Sequence, residues 1–345
     1  MIGILTFNRA INYGAVLQSF ALKESLSKYN SCEIINYKND LIEKAYDFSK
    51  DIFLERMYKK ITISKKISEF NSFISEISSK NIYDINTIHT IKHNKLVCGS
   101  DQVWNFNCSG NDTTYLLNGF ENAKKYSYAA SFGVSRLPED QVEIFRDSLS
   151  EFKYISVREE TGKKICREQL GLDAEVVVDP TLLLTKAEWK DKLNIQTKQK
   201  KYVLIYAFDN NDLIKKVAKK IAKVYGLSIY NLAISGRDFF GNKLFKNAGP
   251  QEWVSLFYNA IFVVTDSFHG TAFSINFNKP FYTFAKNDRK SRIVDILELM
   301  GLQDRLITCE EQVNTENIID YKQVNKRLEE ERQKSLAYIE RIVND

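Results

Sequence analysis

Ile261-Phe262-Val263-Val264-Thr265-Asp266-Ser267-Phe268-His269-Gly270-Thr271-Ala272-Phe273-Ser274-Ile275-Asn276 is the stretch that decides the fold. Its first five residues form an unbroken, β-branched apolar run, the pattern of a strand buried on both faces. A short polar turn follows, and Gly270 to Asn276 predicts a helix. Working outward, Gln251 to Ala260 predicts a helix before this strand, and Pro280 to Phe284 a strand after it. Upstream lie a strand at Tyr202-Val203-Leu204-Ile205-Tyr206, a helix with one basic face over Leu213 to Tyr225, and a strand at Ser228 to Leu232. Strands that alternate with helices imply a parallel sheet with crossover connections.

The first half of the chain repeats this rhythm. Strands are predicted at Ile2 to Phe7, Cys32 to Tyr37, Leu96 to Cys98, Tyr126 to Ala130, Tyr154 to Val157 and Val176 to Val178. Val16, Leu17, Phe20, Ala21, Leu22 and Leu26 step by three and four, which predicts a helix with a broad buried face. A polar, Lys-rich stretch from Thr185 to Lys201 separates the two series and reads as a linker. The domains expected are 1–190, 191–315 and a terminal segment 316–345, with a charged helix over Tyr321 to Val343. The segment Asp51 to Asn81 departs from the rhythm. Ile67, Phe70, Phe73, Ile74 and Ile77 recur at helical spacing beside Lys59, Lys60, Lys65 and Lys66. Two readings stand here: an inserted helix packed on the N-terminal sheet, or a basic amphipathic helix lying on an anionic membrane.

Composition excludes several classes. At 345 residues the chain exceeds a single domain by the prior of roughly 100–200 residues each. Aromatic residues are plentiful and the net charge is only +5, unlike a disordered chain. Lys and Arg are spread rather than clustered, which argues against a nucleic-acid binder and weakly favours an anionic ligand or membrane surface. The opening Met1-Ile2-Gly3-Ile4-Leu5 lacks the pattern of a signal peptide, and no apolar run reaches the roughly 20 residues of a membrane span. Cys32, Cys98, Cys108, Cys166 and Cys309 are odd in number and never form a Cys-x-x-Cys pair. A disulfide framework or zinc knuckle is not expected, and the cytoplasm is the expected compartment.

Four loops carry chemistry. After the first strand comes Asn12-Tyr13-Gly14-Ala15-Val16-Leu17-Gln18. Its glycine and helix start suit close approach to an anion or sugar, or simply a tight turn. It is not a G-x-G-x-x-G dinucleotide fingerprint. Gly99-Ser100-Asp101-Gln102-Val103-Trp104-Asn105 follows the strand ending at Cys98. Here Trp104 either stacks on a sugar while Asp101 and Asn105 bond hydroxyls, or it is core and Asp101 caps a helix. Ser156-Val157-Arg158-Glu159 offers an Arg that can hold a carboxylate or phosphate bidentately, or a structural Arg–Glu pair. The fourth loop is Asp266-Ser267-Phe268-His269-Gly270-Thr271. His269 is the one of three histidines that sits at a strand's carboxyl end before a glycine. Histidine can pass protons both ways, and the helix that follows can receive phosphate on its N-terminus. Lys286-Asn287-Asp288-Arg289-Lys290-Ser291-Arg292 adds cations after the strand Pro280 to Phe284.

Together with Tyr128-Ala129-Ala130-Ser131-Phe132-Gly133 and Val178-Asp179-Pro180-Thr181-Leu182, these blocks resemble the polysaccharide pyruvyl transferase family. They run in family order through nearly the whole chain. The resemblance implies an α/β, GT-B-like fold: two Rossmann-like domains facing across a cleft, the C-terminal helix returning to the first. It implies phosphoenolpyruvate as donor and a glycan acceptor, often lipid-linked, in exopolysaccharide or cell-envelope synthesis, with peripheral membrane contact. It assigns catalysis to Arg158 and His269. Arg292 is the best match for a further family cation, with Arg289 and Lys290 as close rivals. Better-studied members carry Arg-Leu-His-Gly where this chain has Ser267-Phe268-His269-Gly270.

The expected donor side therefore comprises Arg292, Ser267, Gly270, Thr271, Arg289 and Lys290, and the expected acceptor side Asn12, Tyr13, Gly14, Gln18, Ser100, Asp101, Trp104 and Asn105. No metal or resident cofactor is expected. Two other readings share the same fold: a glycosyltransferase using a nucleotide sugar, and an inactive glycan-binding relative.

Overall fold

The computed structural model describes residues 1–44, 53–209, 211–233, 240–285 and 290–345, with backbone alone at 53–62, 233 and 290. The chain divides into two compact units. One comprises Met1–Ile52, Phe70–Leu183 and Glu331–Asp345, the other Phe53–Glu69 and Leu184–Glu330. The boundary thus falls at Leu183/Leu184. Part of the expected linker is itself ordered: Thr185 and Glu188 form a reciprocal capping box on a helix over Lys186–Lys192.

The first unit is built on strands β1 (Ile2–Leu5), β2 (Cys32–Tyr37), β3 (Ser78–Tyr83), β4 (Lys95–Cys98), β5 (Lys124–Ser127) and β6 (Phe152–Tyr154). Their order is β3-β2-β1-β4-β5-β6, and every pairing is parallel. This is the dinucleotide-fold order, which reverses direction between β1 and β4. β1 is buried along its whole length, as its unbroken apolar run requires. Helix α1 (Tyr13–Leu26) is capped by Asn12 and buries Ala15, Val16, Leu17, Ala21, Leu22 and Leu26. Ser156–Val157 (β7) pairs with Glu175–Val176 (β8) in a separate ribbon, so the single strand predicted over Tyr154 to Val157 is broken at Ile155.

Helix α2 (Phe53–Ile77) packs the apolar face of its described end against helix α1 rather than on the sheet. Its apolar residues Phe70, Phe73, Ile74 and Ile77 are buried. Phe70 lies 5.0 Å from the Tyr13 ring and Phe73 lies 5.7 Å from Phe20, so this face is covered by α1. Lys66 is buried, and burial lowers its pKa to about 8. The side chains of Lys59 and Lys60 lie outside the described residues. Among the described residues no helix is long and apolar enough to cross a membrane.

Glu331–Asp345, the last residues of the chain, complete this unit. Arg332 donates to Leu182 O (2.8 Å), Ser335 Oγ accepts from Val178 N (3.0 Å), and Tyr338 OH donates to Ser127 O (2.9 Å).

The second unit carries β9 (Tyr202–Ala207), β10 (Ser228–Ala233), β11 (Lys243–Phe245), β12 (Phe262–Thr265) and β13 (Phe281–Thr283) in the all-parallel order β11-β10-β9-β12-β13. Its helices, continuing past α3 (Glu139–Ser150) of the first unit, are α4 (Asp212–Tyr225), α5 (Pro250–Asn259), α6 (Phe268–Asn276) and α7 (Lys290–Met300), followed by α8 (Tyr321–Asn344). α4 shows why an amphipathic sequence folds here. Ile214, Val217, Ala218, Ile221 and Ala222 are buried on the sheet, while Lys216, Lys219 and Lys223 remain exposed. In this sheet the strand order reverses between β9 and β12. In open α/β sheets, ligands bind outside the carboxyl ends of the strands at such a reversal.

Candidate active site

In the first unit, the loops after β1 and β4 meet at the reversal point. Leu5 pairs with Cys98, Gly99 N donates to Leu5 O (2.9 Å), and Thr6 Oγ1 donates to Ser100 O (2.8 Å). A Cβ at Gly99 would come within 2.9 Å of the Thr6 Cβ, so glycine lets the two loops close on one another. Asn12 is exposed and its Oδ1 accepts from Ala15 N. Asp101 and Asn105 are half-buried, and Asn105 caps the short helix Phe106–Ser109. Asp101 holds a φ of +77°, a left-handed conformation that favours glycine and is uncommon for other residues. Such strain concentrates at functional sites.

Five residues of the expected acceptor face turn inward instead. The Gln18 amide is fully buried and donates to Thr6 Oγ1 (2.8 Å) and Ala15 O (2.9 Å). Tyr13 packs on Phe70, with Gly14 buried beside it in the first turn of α1. Ser100 is buried and donates to Asp179 Oδ2 (3.0 Å). Trp104 is 1% exposed, donates to Tyr115 O (3.2 Å), and lies 5.0 Å from the Phe132 ring. Its indole is core, which overturns the expectation that it faces a sugar. The reason is apolar packing: Val103, Trp104, Phe106, Tyr115 and Phe132 belong to one buried cluster.

Arg158 also departs from the expected ligand clamp. Its side chain is 1% exposed and faces three carboxylates: Asp179 at 3.2 Å, Glu159 at 3.4 Å and Asp101 at 3.8 Å. Burial pulls the guanidinium pKa down, but Glu159, Asp179 and Asp101 outweigh it, and the net shift is upward. Further donors complete the cluster. Ser131 Oγ donates to Glu159 (2.5 Å), and Thr181 donates to Asp179 through its backbone N–H (3.0 Å) and its hydroxyl (2.7 Å). The cation is matched by protein acids, and Asp101 is the member of the cluster whose side chain is most exposed, at 13%. Arg158 thus ties together the loops that carry Asp101, Glu159 and Asp179. The blocks containing Arg158 and Asp179 were legible as motifs, but their mutual contact was not. Arg9 was passed over altogether. It lies on the rim loop after β1, bound to Glu43 (2.6 Å) and Asn36 (2.8 Å).

In the second unit, the fourth block stands at the β9/β12 reversal. Thr265 Oγ1 donates to Tyr206 O (2.6 Å). Both oxygens of the Asp266 carboxylate accept from the loop after β9, from Phe208 N (2.7 Å) and Asp209 N (3.0 Å). Ser267 caps α6 through Gly270 N (3.3 Å), placing His269 in the first turn, 9% exposed and edge-on to Phe268. A Cβ at Gly270 would lie 2.2 Å from Thr265 Oγ1, so the glycine serves the close approach of helix to strand. Thr271 is fully buried, its hydroxyl donating to Ser267 O (3.0 Å) and bonded to Thr283 Oγ1 (3.0 Å). Ser267, Gly270 and Thr271, expected as donor contacts, thus build the turn that presents His269. A pocket of about 160 Å³ opens at this rim, lined by Asp209, Asn211, Asp266, Phe284 and Thr308 among others. It is smaller than the roughly 300–1,000 Å³ of sites for drug-sized ligands.

α7 begins after β13 at the same rim. Its first turn holds no acid, although a helix N-terminus favours acids, and Arg292 is half-buried there. The Lys290 side chain and all of Arg289 lie outside the described residues.

A fold of two parallel α/β units, each with chemistry-bearing loops at its reversal point, defines a GT-B protein. The family model described as polysaccharide pyruvyl transferase matches residues 12–288, and the chain belongs to that family. It is a transferase. Among solved structures it is similar to a putative UDP-N-acetylglucosamine 2-epimerase from Listeria monocytogenes, with a TM-score of 0.50 and 11% identity over 96% of this chain and 90% of that one. The S. aureus MnaA–UDP co-structure gives a TM-score of 0.50 and 11% identity, covering 95% and 90%. At these identities the likeness shows the fold alone. No curated protein matches the sequence significantly.

Proposed function

We propose that this transferase moves the pyruvyl group of phosphoenolpyruvate onto two hydroxyls of a glycan, forming a cyclic ketal. The observation that carries this reading is His269. This family member carries an imidazole in the first turn of a helix, at the reversal of strand order in its second unit. The chemistry needs a proton donor for the methylene carbon of phosphoenolpyruvate, and His269 suits that task by its side chain and place. Protonation leaves an oxocarbenium-like carbon, which one sugar hydroxyl attacks. The second hydroxyl attacks the same carbon as the bond to phosphate breaks. One hydroxyl proton balances the new methyl group and the other leaves on phosphate.

The donor is anionic at both carboxylate and phosphate, which fits a basic, acid-free start to α7 better than a neutral ligand does. Arg292, Lys290 and Arg289 are its proposed partners. Asn12, Asp101 and Asn105, the polar groups that reach the rim of the first unit, are the proposed glycan contacts. Incubation with a glycan acceptor and either phosphoenolpyruvate or a nucleotide sugar tests the reading. Phosphate release that depends on both phosphoenolpyruvate and acceptor is expected. Turnover of the nucleotide sugar alone assigns the chain to glycosyl transfer instead.

A further inference from the structure

At the amino-terminal edge of the second sheet, the end away from His269, four chain segments converge. Ile261 N donates to Tyr202 O (3.0 Å), Ser228 N to Lys201 O (3.4 Å), and Lys198 N to Asn259 Oδ1 (2.7 Å). The Tyr225 ring stacks on Phe262 with centroids 6.4 Å apart, and Lys279 Nζ donates to Ala260 O (2.9 Å). Across 196–203, 219–229, 258–263 and 277–281 the sequence holds Lys198, Lys200, Lys201, Lys219, Lys220, Lys223 and Lys279, and no Asp or Glu. Lys198, Lys200, Lys201 and Lys223 are all exposed. Three apolar side chains stand among them in water: Val224 (54% exposed), Tyr225 (45%) and Ile261 (43%). Tyr225 OH donates to Thr315 O (2.7 Å), which brings a further segment alongside. That segment carries Ile318, 85% exposed, between Glu316 and Asp320.

Single exposed apolar residues are ordinary on a soluble protein. An apolar group set among lysines, with Glu316 and Asp320 confined to the one neighbouring segment, is a different composition. It matches the surface of proteins that lie on a bilayer, with apolar side chains at the headgroup boundary and lysines on anionic headgroups. A nucleic acid would use the lysines and leave Val224 and Ile261 in water. We propose that this edge docks on an anionic lipid bilayer: Val224, Tyr225 and Ile261 enter the headgroup region, and Lys198, Lys200, Lys201 and Lys223 pair with lipid phosphates. The proposal stands apart from the transfer reading, because it uses none of the residues placed at either rim.

Co-sedimentation of the full chain with vesicles tests it. Vesicles of phosphatidylglycerol and phosphatidylcholine in equal parts should bind the protein, vesicles of phosphatidylcholine alone should not, and binding should weaken as salt shortens the screening length. At about fivefold per lysine, reversing all four charges (Lys198→Glu, Lys200→Glu, Lys201→Glu and Lys223→Glu) should weaken binding by more than roughly a hundredfold. The pair Val224→Ser and Ile261→Ser should lower the binding that survives high salt. Both variants should keep the wild-type circular dichroism spectrum, since all these side chains face solvent. Equal binding to both vesicle types, binding unchanged by the charge reversals, or binding of single-stranded DNA without binding of vesicles would overturn the proposal.

Discussion

His269 owes its position to its neighbours: Ser267 caps the helix, Gly270 admits the strand, and Asp266 ties down the loop after β9. Replacing the imidazole with Ala removes none of these contacts. His269→Ala should therefore keep its unfolding midpoint while phosphoenolpyruvate-dependent phosphate release falls by roughly a hundred- to ten-thousand-fold. Near-normal turnover would remove His269 from the chemistry. Arg158 should behave in the opposite way. Arg158→Ala leaves Asp179 and Glu159 buried without their cation, and breaking a buried ion pair costs about 3–5 kcal/mol. Denaturant unfolding should show that loss, and an unchanged midpoint would contradict the structural role. The sequence made both residues conspicuous, but their roles depend on tertiary contacts. Asp179 lies 21 positions from Arg158 and meets it only in the folded unit. The Trp104 motif is equally compatible with a sugar platform and with a core, and Phe132 decides for the core.

The strands that hold the rims were legible because they are buried on both faces and read as continuous apolar runs, as in β1, β9 and β12. The edge strands β3 and β11 were not. Ser78-Ser79-Lys80-Asn81-Ile82-Tyr83 is polar, and Lys243–Phe245 is three residues long, so neither has a core-facing pattern to read. α3 was missed as well. It buries only Phe145, Ser148 and Leu149 among acids, too little for the eye to find a stripe. The terminal helix was read correctly as an element, and its anchoring is a structural finding. Tyr338, Ile339 and Ile342 are buried, and each such side chain is worth roughly 1.5–3 kcal/mol. A chain ending at Glu330 should lose several kcal/mol from the first unit. Thermal unfolding of that truncation checks this, and a midpoint equal to that of the full chain would show that Glu331–Asp345 is dispensable.

At the scale of the molecule, two units repeat one principle. Each is a parallel sheet whose strand order reverses once, and each places its polar loops at that reversal. The GT-B expectation holds because continuous apolar strands alternating with helices leave few other arrangements. Family membership then narrows a fold that hosts many chemistries to transfer. Ketal formation is followed most directly at the carbon that becomes the ketal. Phosphoenolpyruvate labelled with carbon-13 at the carbon bearing phosphate is incubated with a glycan acceptor and the protein, and followed by nuclear magnetic resonance. A quaternary ketal carbon should appear on the glycan in step with released phosphate and be absent with His269→Ala. A label that stays in phosphoenolpyruvate, while the same acceptor is modified from a nucleotide sugar, would contradict it.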